Sequence, residues 1–195
     1  MTDVPESPKE FFTQFIPSRF EALKQGLAGK SSVGSMVFRV IGAGEWSLRL
    51  QGGDLEVVEG MQDDVIIQVT VSPEDFKPIF IQSAVMQEGV EIKPDQQVMA
   101  FKALTIDAER AKLVRSIAGT VAFVIDAGAV THKLGITPGG GEVKLESPDC
   151  RLECKMNDFM DMQMGKQNPM QLAMSGKIRI VGSAQIPMVQ SGVFV

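Results

Sequence analysis

The sequence predicts an α/β fold of the α+β kind, an antiparallel-rich mixed sheet covered by helices on one face. Three observations carry this. Windows of six to eight residues alternate apolar and polar side chains, the period-two pattern of a half-buried strand. Short glycine-rich turns separate these windows. Helical patterns precede each group of strands, and 44% of the 195 residues are hydrophobic, enough for a substantial core.

Taken in chain order, a helical pattern covers about residues 9–27. Met36, Phe38 and Val40 alternate along a first strand. The windows GEWSLRL and DLEVVEG flank Gly52-Gly53-Asp54 and read as a hairpin. Val65, Ile67, Val69 and Val71 mark the inward side of a further strand, which leads into a helix start at Asp75-Phe76. A second helical pattern spans about residues 96–117. Val121, Phe123 and Ile125 then alternate, a turn follows at Pro138-Gly139-Gly140-Gly141, and Glu142-Val143-Lys144-Leu145 alternates again as a strand. Cys150, Leu152, Cys154 and Met156 form another inward set before a second helix start, Asp158-Phe159.

This order of helix, strand, hairpin, strand and Asp-Phe helix occurs twice. Gly34–Val40 lies opposite Gly119–Ile125, and Asp64–Val71 opposite Asp149–Met156, at one constant offset. The chain therefore reads as an internal repeat, residues 1–100 forming a degenerate copy and residues 101–195 the fuller one.

Composition excludes several functions. A net charge of −5 and a pI near 5.0 argue against a nucleic-acid binder, which needs a clustered basic face. No apolar run approaches the roughly 20 residues of a membrane span, and the acidic N-terminus lacks an apolar signal region, so a cytoplasmic protein is expected. Tyr is absent and His occurs once, which leaves few parts for catalysis. His132, beside a glycine-rich turn and with no nucleophile motif nearby, reads as an ordinary, partly exposed strand or loop residue. Cys150 and Cys154, on one side of a strand, are roughly 13 Å apart, too far for a disulfide, and read as buried apolar packing. No second cysteine pair completes a zinc site. Gly139-Gly140-Gly141 is followed by a strand pattern rather than a helix, so it is a turn and no phosphate cradle. No catalytic residue, metal ligand or cofactor is expected.

The strongest signal is the C-terminal segment DFMDMQMGKQNPMQLAMSGKIRIVG. Asn168 and Pro169 fit a helix start, and Gly165 and Gly176 sit where helices end. Met156, Met160, Met162, Met164, Met170 and Met174 crowd into it. Met is unbranched and polarizable and adapts to varied ligands, although a methionine cluster also suits an ordinary core. In its order of Asp158, Phe159, Gly165, Lys166, Pro169, Ala173, Gly176, Lys177, Ile178, Ile180 and Gly182, the segment resembles the C-terminal half of the sterol carrier protein type 2 domain. The first copy departs from that pattern after Phe76.

The resemblance implies non-catalytic binding or transfer of a lipid (a sterol, fatty acid or acyl-CoA) in an apolar tunnel between helices and sheet. Phe159, Met160, Met164, Met170, Leu172, Ala173 and Met174 would wall it, with Ile178 and Ile180 on the strand below. Lys166, Lys177 and Arg179 read as a solvated rim or as contacts for an anionic head group. The expected partner is a lipid or other apolar small molecule; transient membrane contact and a homodimer are compatible with the sequence. The alternative is a scaffold or dimerisation module that kept the fold, filled the pocket and binds a protein partner.

Overall fold

The computed structural model describes residues 4–21, 24–82, 102–163, 166–167 and 169–187. Helix α1 begins at Ser7, whose hydroxyl accepts a hydrogen bond from the Glu10 N–H, with Pro8 in the first turn where its missing N–H matters least. It runs through Pro8–Glu10, Phe11–Phe15 and Ile16–Glu21. The middle piece is widened to π-helix, and the Ile16 N–H donates back to the Phe11 carbonyl. Pro17 accounts for the widening: a tight α-turn would drive its ring against the Thr13 carbonyl. Helix α2, Pro73–Phe76 continued as π-helix by Lys77–Gln82, repeats the device around Pro78.

The strands are β1 (Ser35–Val40), β2 (Gly44–Gln51), β3 (Asp54–Glu59), β4 (Val65–Val71), β5 (Val121–Asp126), β6 (Thr131–Pro138), β7 (Cys150–Lys155) and β8 (Ile178–Gly182). Together they form one eight-stranded sheet in the order β3-β2-β1-β4-β6-β5-β7-β8. It is mixed and antiparallel-rich, only β1–β4 and β5–β7 being parallel. Among the described residues, the remaining α-helices are α3 (Ala108–Arg115), α4 (Met156–Gln163) and α5 (Pro169–Met174).

Three strands of each half pair in the same way, although, among the described residues, the first half has a β2–β3 hairpin that the second lacks. The first strand, β1 or β5, pairs antiparallel with the next and parallel with a later one, β4 or β7. The parallel registers differ: Phe38 faces Val69, whereas Phe123 faces Leu152, and a bulge between Ser35 and Met36 absorbs part of the difference. The same side chains nonetheless point to one side in both halves, because a net slip of two residues preserves the face.

One face carries Met36, Phe38, Val40, Trp46, Leu48, Val69, Val71, Leu134, Phe123, Ile125, Leu152 and Cys154 in register. Helices cover it. Over the N-terminal strands, Phe12 of α1 stacks on Trp46 at 5.0 Å and meets Phe38 at 5.0 Å, while Phe76 and Phe80 of α2 close the cluster. The opposite face is polar toward its edges, with Arg39–Glu45 and Arg49–Glu56 pairs. Near its middle, residues 142–147 cross it as a strap: the Leu145 side chain fills the space a side chain at Gly135 would need, and Thr120 Oγ1 accepts from the Lys144 N–H.

The seam between the halves is the β4–β6 pair, in which Val69 faces Ile136 and Val71 faces Leu134. Strand β6 thus stands beside β4 as β8 stands beside β7. The carboxylates of the two Asp-Phe helix starts reach across in the same sense. Asp75 accepts from His132 Nδ1 at 2.8 Å and from the Lys133 N–H at 3.2 Å, while Asp158 meets Lys177 Nζ at 3.3 Å. Of the strand and loop readings, His132 takes the strand one, as a partly buried residue of β6 held by Asp75.

Two elements differ from the sequence reading. Glu142–Leu145 is not a strand: the free edge of β6 that such a strand would need is taken by β4. Within the described residues, the second helical pattern is broken into a 3₁₀ turn at Lys102–Thr105 and α3, because the Asp107 side chain accepts from the Arg110 N–H and restarts the helix there. Residues 96–101 lie outside the described residues.

Candidate functional site

Strands β5, β7 and β8 form the floor of the C-terminal half, and α4 and α5 lie on its helix-covered face. Helix α4 follows β7 without a break, so Phe159 is carried back over the sheet. Its ring meets Phe123 of β5 edge-on, with centroids 5.5 Å apart. After α5 the chain stops as the sequence predicts. Gly176 has φ +74°, its N–H donates to the Ala173 carbonyl, and the Lys177 N–H donates to the Leu172 carbonyl. This paired bonding ends the helix and turns the chain directly into β8.

The predicted site residues fall into three groups. Phe159, Met160, Leu172 and Ile178 are buried, and Ala173 is half-buried against the same core, as is Met162. Met170 and Met174 are exposed on α5, and Ile180 is exposed on β8. Met164, with Gly165 and Asn168, lies outside the described residues. The i, i+4 pair Met170 and Met174 thus shares a helix face as expected, and it is the outward one.

Ile180 lies in register with the floor. It faces Leu152, which faces Phe123, the ring under Phe159. Ile180 therefore belongs to the helix-covered face. Ile178, two residues earlier on that face, is 5% exposed, whereas Ile180 is 40% exposed. Among the described residues, the helices close the floor at the Ile178 end of β8 and leave it open at Ile180.

A polar rim runs along the closed end. Lys177 Nζ lies between Asp158 and the Gln167 side-chain oxygen, and the Gln167 amide donates to Asp161, which also pairs with Lys166. Arg179 points to the other face of β8, toward Glu153. Lys166 and Lys177 therefore flank the helices, and Arg179 does not. A groove of about 500 Å³ lies on that opposite face, between the strap and the sheet, lined by residues that include Arg39, Thr70 and Lys144. It is separate from the predicted residues.

Cys150 and Cys154 point into the floor as free, buried thiols. Burial, with a smaller contribution from the Asp158 charge, pushes the Cys154 thiol up to about 11, and burial also raises Cys150. Since the thiolate is the reacting form, both should label slowly with a thiol reagent at pH 8 and quickly in denaturant. Fast labelling of the folded protein would contradict this placement. Among the described residues, no cluster of three or more His, Cys, Asp or Glu could hold a metal ion. No described helix is long and apolar enough to cross a membrane.

Phe123 is the floor residue that the sequence reading left out of the site. Its alternation and its match to Phe38 had placed it inward, so the signal was present. Asp75 as the partner of His132 had no such signal, since the pair is joined only by the β4–β6 seam.

The chain was compared with known proteins. Residues 99–195 match the model of the SCP-2 sterol transfer family. None of the curated proteins compared with the chain matches it. Among solved structures, it is similar to sterol carrier protein 2 like 2 from Aedes aegypti, with 14% identity, 57% of this chain and 96% of that one covered, and a TM-score of 0.40. It is similar to the sterol carrier protein domain 2 of Helicoverpa armigera, with 25% identity, 63% and 88% covered, and a TM-score of 0.35. For sterol carrier protein 2 from Yarrowia lipolytica, the values are 14%, 52%, 95% and 0.35. Through its residues 99–195, the chain belongs to the SCP-2 sterol transfer family.

Proposed function

We propose that the chain binds or transfers a lipid, such as a sterol, fatty acid or acyl-CoA, without catalysing a reaction on it. Residues 101–195 would be the binding unit and residues 1–100 a degenerate copy of it, matched in the pairing of three strands. The observation that carries the reading, beside the family match, is the open end of the helix-covered face at Ile180. An apolar chain entering there would run from Ile180 toward Leu172, Ala173 and Phe159. Binding would rest on burial: each methylene removed from water contributes about 0.8 kcal/mol, so a long chain reaches micromolar affinity with few polar contacts. Met160 and Met162 would adapt to its shape.

The packing of Phe159, Met160, Leu172 and Ile178 favours a second reading, a scaffold with a filled pocket that binds a protein partner. One experiment separates the two. A fluorescent fatty acid is titrated into wild type and Ala173→Trp, with denaturation midpoints for both and mass spectrometry of co-purified lipids. The lipid reading expects saturable binding by wild type. It also expects affinity to fall on the order of tenfold in the variant, with less than the roughly 1–3 kcal/mol of destabilisation that overpacking a filled core brings. No binding and no co-purified lipid, with a strongly destabilised variant, would leave the scaffold.

A further inference from the structure

We propose that Phe12 is a built-in occupant of the N-terminal half, filling the space that a ligand's apolar chain takes in the C-terminal half. The protein then holds one lipid per chain, in the C-terminal half only. The two halves place one pair of rings alike. Phe38 of β1 and Phe123 of β5 lie on the helix-covered face of a strand with a parallel neighbour, β4 or β7. Phe76 and Phe159 each follow an aspartate in the helix that begins after that neighbour. In the C-terminal half the two rings meet directly, Phe159 edge-on to Phe123 at 5.5 Å. In the N-terminal half a third ring lies against both: Phe12 of α1 is 5.0 Å from Phe38 and 5.8 Å from Phe76. It also stacks on Trp46 at 5.0 Å and is 1% exposed. No third phenyl ring does this among the described residues of the C-terminal half, where Phe123 and Phe159 are the only two. The partly buried apolar side chains that α4 and α5 pack against the core there are Met156, Met162 and Ala173. Thioethers bend around a guest and alanine leaves room for one, whereas a stack of rings is rigid.

The ring is also held in place. Ser7 and Pro8 fix the start of α1, and the π-helical turn Phe11–Phe15 carries Phe12 inward. A tethered group competes for its site at an effective concentration on the order of millimolar, which a sparingly soluble lipid does not reach in free solution. Lipid is therefore left with the half that has no such tether. The buried indole N–H of Trp46, beneath the ring, has no hydrogen-bond partner among the described residues. Buried donors are nearly always paired, and a hydrocarbon ring standing where a ligand would lie offers this one no acceptor.

The count of one lipid per chain rests on the lipid-binding reading above; the role of Phe12 is tested apart from it. Two measurements on the full chain are needed. In the first, a stearic acid brominated along its chain is titrated into wild type by calorimetry while Trp46 emission is followed. Bromine quenches an indole only near contact, and Trp46 is the only tryptophan. The expected result is one fatty acid per chain with Trp46 unquenched. In the second, benzene is added to wild type and to Phe12→Ala. An apolar cavity of phenyl size binds benzene, and a ligand of the native state stabilises it. Benzene should raise the denaturation midpoint of Phe12→Ala more than that of wild type. It should also return the variant's red-shifted Trp46 emission to the wild-type position, and leave the wild-type emission where it is. Two fatty acids per chain, or quenching of Trp46 by the first, overturns the proposal. So does a folded Phe12→Ala variant whose midpoint and emission ignore benzene. The wild-type titration decides the matter if Phe12→Ala does not fold. If wild type binds no fatty acid while benzene still rescues the variant, the lipid reading fails and the occupancy of the N-terminal half by Phe12 stands.

Discussion

Phe12→Ala is expected to lower the stability of the protein by about 3–5 kcal/mol, the range for removing a buried phenyl ring. Phe12 is 1% exposed and is the hub of the N-terminal aromatic cluster. Its ring lies parallel to Trp46 within 17° and touches Phe11, Phe38 and Phe76. No described residue can fill the space without moving, because Phe12 is held by the π-helical turn that also sets the course of Phe11 and Phe15. Trp46 reports the outcome, since it is the only tryptophan in the chain and is buried beneath that ring. Its indole N–H has no hydrogen-bond partner among the described residues. A cavity at Phe12 should admit water to it and shift its emission to the red before unfolding. An unshifted emission and a midpoint within about 1 kcal/mol of wild type would show that the cluster contributes little. That result would lie far outside the usual range for such a site.

The second large effect is Phe159→Ala, again about 3–5 kcal/mol, now in the half that matches the family. Phe159 is 1% exposed and packs edge-on against Phe123. The informative readout is in the other half. The β4–β6 pair makes one continuous sheet, and the carboxylate of Asp75 ties α2 to His132 and Lys133 of β6. Strand β4 is buried along its whole length, so the N-terminal half cannot keep its core once β6 leaves. Trp46 fluorescence and far-UV circular dichroism should therefore shift by the same amount in Phe159→Ala, in one transition. If Trp46 unfolds as in wild type while the dichroism shows an earlier step, the halves fold independently and the seam is only a contact.

Much of this architecture was legible locally. Alternation placed the inward sets of β1, β4, β5 and β7, because side chains alternate faces whatever the strand pairs with. The end of α5 followed from a local signal, Gly176 in a left-handed turn, whereas the Asp107 cap, which accepts from the Arg110 N–H and starts α3, was not read from the sequence. Burial of Cys150 and Cys154 followed from the same alternation. The order of strands did not. Backbone donors and acceptors are alike in every strand, so nothing in the residues of β6 says that its second edge belongs to β4 rather than to Glu142–Leu145. That choice belongs to the assembled sheet, and it removes a strand from one half and holds the partly buried His132 against Asp75. The outward side of α5 was equally beyond the sequence. Met170, Leu172, Ala173 and Met174 are all apolar, so hydrophobicity alone does not say which of them meets the core. Only the docking of α5 on β8 decides it, turning Leu172 inward and Met174 to the surface.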